Sequence, residues 1–161
     1  MIKQLDIFID GSHLNKQHGG RLGIGGIILD LSKEGDDCII DHFSHELTPE
    51  FMKSKFDADT CSNPSAELTA LLFAINEFKS YFKTANSILV HADYLGVKEW
   101  MSGNWKVKEK YIANIKSAID KEIDKLGLKG KIQYAWVKGH QKNDSVEAYW
   151  NNCVDKLAKG L

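Results

Sequence analysis

The sequence predicts an α/β fold built on a five-stranded mixed sheet, with helices packed against its faces. Three β-type segments follow one another early in the chain with only turns between them, which makes an antiparallel meander. After them, strands and amphipathic helices alternate, which makes parallel βα units. The 161 residues, 43% hydrophobic and 27% charged, suit one compact domain spanning residues 1–161 and exclude a disordered or fibrous chain.

Leu5-Asp6-Ile7-Phe8-Ile9-Asp10 alternates and is rich in β-branched residues. Gly11-Ser12 follows, so strand one is expected to finish at Asp10. A second strand, Ile24 to Leu31, follows a glycine-rich stretch. The polar turn Ser32 to Asp37 joins it to a third strand, Cys38 to Glu46. Leu68, Leu71, Leu72, Ile75, Phe78 and Phe82 recur at helical spacing, with Asn63 as the expected N-cap and Pro64 in the first turn, where its missing N–H costs nothing. Ile88 to Ala92 is a nearly unbroken apolar run, as in a strand buried on both faces, and ends at Asp93. A short helix, Tyr94 to Met101, is expected next. Val107, Tyr111, Ile115, Ala118, Ile119, Ile123 and Leu126 mark a second long helix, closed by Gly127 as a left-handed C-cap. Ile132 to Val137 reads as strand five. Val146, Trp150, Cys153, Val154 and Leu157 form the apolar stripe of a terminal helix, so the order is β-β-β-α-β-α-α-β-α.

Composition narrows the function classes. No apolar run approaches the ~20 residues that span a bilayer, and the opening residues lack the basic and apolar regions of a signal peptide. Cys38, Cys61 and Cys153 are odd in number and in no CxxC pair. They suggest neither a disulfide framework nor a zinc site, and the expected compartment is a reducing cytoplasm. Net charge is −1, but residues 1–97 balance to −6 and residues 98–161 to +5, so an acidic half meets a basic half. The glycines of Gly23-Ile-Gly25-Gly26 do not make a dinucleotide fingerprint and are read as places of close backbone approach.

Four acids sit at element ends or on helix faces. Asp10 ends strand one, Asp93 ends strand four, Glu67 lies in the first turn of the first long helix, and Asp155 lies on the terminal helix with Asn151 one turn before it. Singly, each has a plain explanation as a turn residue or a complement to a helix dipole. Together they say more. If the ends of strands one and four adjoin, Asp10 and Asp93 repel one another unless a cation lies between them. All-oxygen ligands of high charge select Mg²⁺ or Mn²⁺, and four such acids can hold two ions ~4 Å apart, as phosphodiester hydrolysis requires.

Phe8-Ile9-Asp10-Gly11-Ser12, Ser65-Ala66-Glu67-Leu68-Thr69-Ala70, His91-Ala92-Asp93, Trp136-Val137-Lys138-Gly139-His140 and Asn151-Asn152-Cys153-Val154-Asp155 resemble the successive signatures of type 1 ribonuclease H, in the family's order and across nearly the whole chain. The resemblance implies a ribonuclease H-like sheet with helices on both faces. It also implies endonucleolytic hydrolysis of the RNA strand of RNA/DNA hybrids by two Mg²⁺ ions, with Mn²⁺ able to substitute, giving 5′-phosphate and 3′-hydroxyl ends. Asp10, Glu67, Asp93 and Asp155 match the family's metal-binding carboxylates, and His140 matches a loop histidine that assists proton transfer or product release. A Gly-His in a polar loop suits a proton shuttle. Asn151 matches a position near the scissile phosphate. Asn63 matches a reader of the hybrid's minor groove, over which His13 and Asn15 continue the first motif.

Departures bear on substrate contacts. Tyr94 follows Asp93 where serine is usual, and Pro64 replaces a second asparagine. The extra basic helix of common bacterial members is not expected, nor is an N-terminal hybrid-binding domain. Lys98, Lys106, Lys108 and Lys110, beside Trp100 and Trp105, are therefore the expected handle on the DNA strand, with the two tryptophans read as core residues. A DNA-directed nuclease of the same fold and a catalytically silent nucleic-acid-binding module are the alternatives. The Gly-His loop and the presence of all four acids speak against them. No obligate protein partner is evident, and a monomer is expected.

Overall fold

The computed structural model describes residues 2–14, 20–138 and 145–161. Five strands form one sheet: β1 (Ile2–Leu14), β2 (Arg21–Leu29), β3 (Ile39–Leu47), β4 (Ala85–Ala92) and β5 (Ile132–Trp136), in the order β3-β2-β1-β4-β5. The first three pair antiparallel, while β4 and β5 run parallel to β1 on its other side. The helices among the described residues are α1 (Pro49–Phe56), α2 (Asn63–Phe78), α3 (Leu95–Met101), α4 (Lys110–Leu126) and α5 (Val146–Ala158). The mixed sheet of the sequence reading is therefore present.

The period of two in β1 decides what each face receives. Leu5, Ile7 and Ile9 point into a large core with residues of α1, α2, α3 and α4. Phe8 points the other way, where Trp150 and Val154 of α5 pack on it together with Ile27 and Leu29. Slipping β1 by one residue would turn three fully buried aliphatic side chains to the wrong face, at about 1.5–3 kcal/mol each. The core thus holds the register that places Asp10.

Several boundaries differ from expectation, each for a local reason. Strand β1 does not stop at Asp10, because β2 keeps pairing with it from Asp10↔Gly25 out to Leu14↔Arg21. Cross-strand bonding overrides the weak strand preference of Gly-Ser. The β2 strand accordingly begins at Arg21 and ends at Leu29, and β3 begins one residue later than expected, after a single 3₁₀ turn at Gly35–Cys38.

An additional helix, α1, lies between β3 and α2. Its signal was present in the sequence: the Thr48 hydroxyl accepts the Phe51 N–H, Pro49 follows it, and Asp57 closes the helix in the left-handed region at φ 56°. The N-cap of α2 is Ser62 rather than Asn63, in a reciprocal capping box with Ser65. Asn63 is thereby released for a tertiary bond, and Glu67 sits beyond the first turn of α2, too deep to serve the helix dipole. The α4 helix starts at Lys110, leaving Val107 outside it, and Gly127 closes it at φ 67° as expected.

The glycines of β2 do admit close approach. A Cβ on Gly23 would lie 1.8 Å from the Ala158 carbonyl oxygen, and one on Gly25 would lie 2.8 Å from Leu157 Cβ. The C-terminal turn of α5 rests on bare backbone there, and the Ser44 hydroxyl donates to the Leu157 carbonyl at 2.6 Å. This contact fixes the helix that carries Asp155.

Candidate active site

Asp10 and Asp93 meet because the parallel pairing of β1 and β4 runs up to Ile9↔Ala92, so each acid is the next residue past that pair. Strand β4 ends there, while β1 continues against β2. Asp10 is thus a mid-strand residue at a sheet position where one neighbour has run out.

Glu67 arrives from α2. An ideal Cβ on Gly11 would lie 2.3 Å from the carbonyl carbon of Ala66 and 2.6 Å from the Glu67 nitrogen, so only glycine lets this helix close on the strand. The Gly11 N–H is then shared: Asp10 Oδ1 accepts it at 2.9 Å and Glu67 Oε1 at 3.2 Å. Ligand atoms of Asp10, Glu67 and Asp93 all lie within 4.8 Å of one another. Asp155 lines the same cleft of ≈460 Å³, with Gly11, Ser12, Asn63, Tyr94 and Lys159.

The electrostatics follow from that crowding. Burial pushes the Asp10 carboxyl up to about 8, against a hydrogen bond with Glu67 that lowers it, and the negative charges of Asp93 and Asp155 push it further up. Glu67 is raised well above the ordinary carboxylate range, first by burial and then by the charge of Asp10. The Tyr94 hydroxyl is raised by burial and by Glu67.

The donor set fits a hard divalent cation. It offers only oxygens, it concentrates negative charge that burial disfavours, and no hydrogen-bond donor among the described residues reaches the buried Glu67 Oε2. Asp10, Glu67 and Asp93 form the compact set, and Asp155 lines the same cleft, close enough to Asp10 to raise its carboxyl by hydrogen bond and charge.

Other residues singled out in the sequence fall in three places. Asn63 lines the cleft, and its Oδ1 accepts the His13 backbone N–H at 2.9 Å, tying the end of β1 to the start of α2. Asn151 is buried, its Oδ1 has no hydrogen-bond partner among the described residues, and it is not among the residues that line the cleft with Asp155. His140 and Asn15 lie outside the described residues.

Lys106 and Lys108 line a separate cleft of ≈470 Å³ with Trp100, Asn104, Trp105, Val107, Glu109 and Ile112. Lys98 lies on α3, and Lys110 lies 4.0 Å from Asp57 across an exposed ion pair. Trp100 packs on the core as expected, but Trp105 is 42% exposed, because it follows a turn that leads out of α3 and meets Trp100 only edge-on.

The sequence reading missed two residues of the site. Lys159 reaches the cleft from the end of α5 and bonds Asp155 at 3.0 Å. Trp136 donates its indole N–H to the Asp93 carbonyl at 3.1 Å, bracing the residue where β4 ends. The i, i+4 spacing of Asp155 and Lys159 was the available signal for the first; the second depends on the parallel pairing of β4 and β5.

With this geometry in view, comparison with known proteins is specific. The RNase H family model matches residues 2–160. A ribonuclease H of Actinobacillus succinogenes is 30% identical, covering 99% of this chain and 90% of its own. Ribonuclease HI of Haemophilus influenzae is 29% identical over the same shares. Among solved structures, the RNase H1 of the halophilic archaeon Halobacterium salinarum superposes with a TM-score of 0.66 at 15% identity, covering 96% of this chain and 93% of that one. LC11-RNase H1 in complex with RNA/DNA hybrid superposes at 0.68 and 17% identity, covering 95% and 92%. These two structures share the fold.

Proposed function

Because this chain belongs to the RNase H family, we propose that its carboxylate cleft is the active site of an endonuclease that hydrolyses the RNA strand of an RNA/DNA hybrid. The observation that carries this is the convergence of Asp10, Glu67 and Asp93, with ligand atoms within 4.8 Å, in the cleft that Asp155 also lines. The reading has the four acids holding two Mg²⁺ ions, with Mn²⁺ able to substitute, and the products carrying 5′-phosphate and 3′-hydroxyl ends. When bound, such ions would lower the pKa of a coordinated water and stabilise charge on the attacking and leaving oxygens.

The chain's own residues do the rest. The Gly11 N–H holds one oxygen of Asp10 and one of Glu67, and the two carboxylates so fixed would serve as ligands to a bound cation. Trp136 keeps the Asp93 backbone in place. Asn63, with its carbonyl oxygen accepting the His13 N–H, offers its amide N–H groups to the 2′-hydroxyls displayed in the minor groove, a substrate contact in which His13 and Asn15 also take part. His140 moves the proton as general acid or base.

Lys98, Lys106, Lys108 and Lys110 contact DNA-strand phosphates, which gives a nearly neutral chain a local grip on a polyanion. The described residues include no helix long and apolar enough to cross a membrane, and Cys38, Cys61 and Cys153 are free thiols. The reading takes residues 1–161 as a single catalytic domain acting as a monomer in the cytoplasm.

A labelled RNA/DNA hybrid, matched DNA and RNA duplexes, and reactions with and without Mg²⁺ test the proposal. Cleavage confined to the RNA strand of the hybrid and dependent on the ion is expected. Cutting of the DNA duplex would establish the DNA-directed nuclease, and binding without cutting would establish the silent module.

A further inference from the structure

Lys159 is the residue at which α5 ends, and its position is built rather than loose. Its backbone N–H donates to the Asp155 carbonyl at 3.1 Å, and the turn before it rests on Gly23 and Gly25 of β2. From that anchorage Nζ donates to Asp155 Oδ2 at 3.0 Å inside the carboxylate cleft. The negative charges of Asp10 and Asp93 act on the same ammonium. One face of the cleft therefore carries a cation of the protein's own, paired with the one acid that lies outside the compact set of Asp10, Glu67 and Asp93.

We propose that Lys159 is a positioning residue whose ammonium holds Asp155 until a divalent ion displaces it, so that this pair sets how tightly the Asp155-dependent ion is held. The inference rests on the reading of Asp155 as a metal ligand and adds an inequality between the two ions. An ion entering among Asp10, Glu67 and Asp93 displaces no lysine of this pair. An ion that needs Asp155 competes with a lysine for the same oxygen. The pair is weak enough to yield, since its side chains are 44% and 26% exposed and are screened accordingly. Once displaced, the ammonium would be available to a substrate phosphate entering the cleft.

The test is Mn²⁺ binding to the metal-free, full-length protein without substrate, read as free Mn²⁺ by electron paramagnetic resonance. Wild type, Lys159→Met, Lys159→Arg and Asp155→Asn are compared. Wild type should show a tight and a weak ion, and Asp155→Asn should lose the weak one. Lys159→Met should tighten the weak ion roughly fivefold, by removing both the competitor and its repulsion of the incoming cation. The tight ion should hold within about twofold and Lys159→Arg should resemble wild type, which a merely structural role for the side chain would not produce.

If Asp155→Asn loses the weak ion but Lys159→Met binds it no better than wild type, the Lys159 proposal falls alone. The same holds if Lys159→Arg behaves like Lys159→Met. If Asp155→Asn binds both ions as wild type does, the ligand role of Asp155 falls and the proposal with it. A thermal melt accompanies each variant, and Lys159→Gln replaces Lys159→Met should the latter unfold early.

Discussion

The backbone N–H of Gly11 is shared by Asp10 Oδ1 at 2.9 Å and Glu67 Oε1 at 3.2 Å, so one donor aligns two buried acids contributed by a strand and a helix. The same glycine lets the two elements approach, since a Cβ there would strike the backbone of Ala66 and Glu67. Gly11→Ala should therefore push α2 from β1 and destabilise the fold by about 1–3 kcal/mol, as overpacking does. It should also move Glu67 out of reach of the ion. Denaturant melts and Mn²⁺ binding check this, and a variant with unchanged stability would show that the contact can relax.

Asp10→Asn should abolish cleavage while leaving the fold and hybrid affinity in place, because it removes one charge from the ligand set. The metal-free variant should melt slightly higher than wild type, since burial and neighbouring carboxylates already disfavour the Asp10 charge. Hybrid cleavage at near wild-type rate would sink the assignment of Asp10.

Stability of the metal-free protein should fall as pH rises. The Asp10 carboxyl lies at about 8 in the fold against an ordinary 3.8, and Glu67 shifts in the same direction. A raised pKa means that folding favours the protonated form. Its contribution is complete below about pH 4 and is lost as pH climbs towards about 8. Tm should drop between about pH 5 and about pH 8 without metal, and added Mg²⁺ should restore more of it at the higher pH. A metal-free Tm that rises over this range would contradict the electrostatic account of the site.

His140→Ala should slow turnover by ~10²-fold without eliminating it, because a proton shuttle contributes about that much while the ions carry the main stabilisation. Hybrid affinity should barely change. Equal losses in rate and affinity would make the residue a substrate contact instead.

Replacing Lys106, Lys108 and Lys110 together by alanine should flatten the salt dependence of hybrid binding by ~2–3 units of log–log slope, with affinity falling alike for all sequences. An uncleavable hybrid titrated across salt concentrations reads this directly. Parallel lines for wild type and variant would show that these lysines do not touch the nucleic acid.

The five strands, the mixed sheet and every helix but α1 were legible in the chain, and so was a cluster of acids at the strand ends. Alternation in β1, the near-continuous apolar run of β4 and the stripe of α5 are local patterns that burial enforces directly, and motif order added the family resemblance. The end of β1 was not legible, because whether Gly11 and Ser12 stop a strand depends on whether β2 keeps bonding past them, and it does as far as Leu14. The N-cap of α2 likewise fell to Ser62 through its exchange with Ser65, which freed Asn63 to bond His13, a residue 50 positions away in the chain. The exposure of Trp105 and the pairing of Trp136 with Asp93 depend on how separate elements pack. Local spacing says which face a residue takes on its own element, but which charges become neighbours is decided when the sheet closes. That closure sets the raised Asp10 carboxyl and the shared Gly11 N–H, because each needs groups from different elements to be brought within bonding distance and out of water.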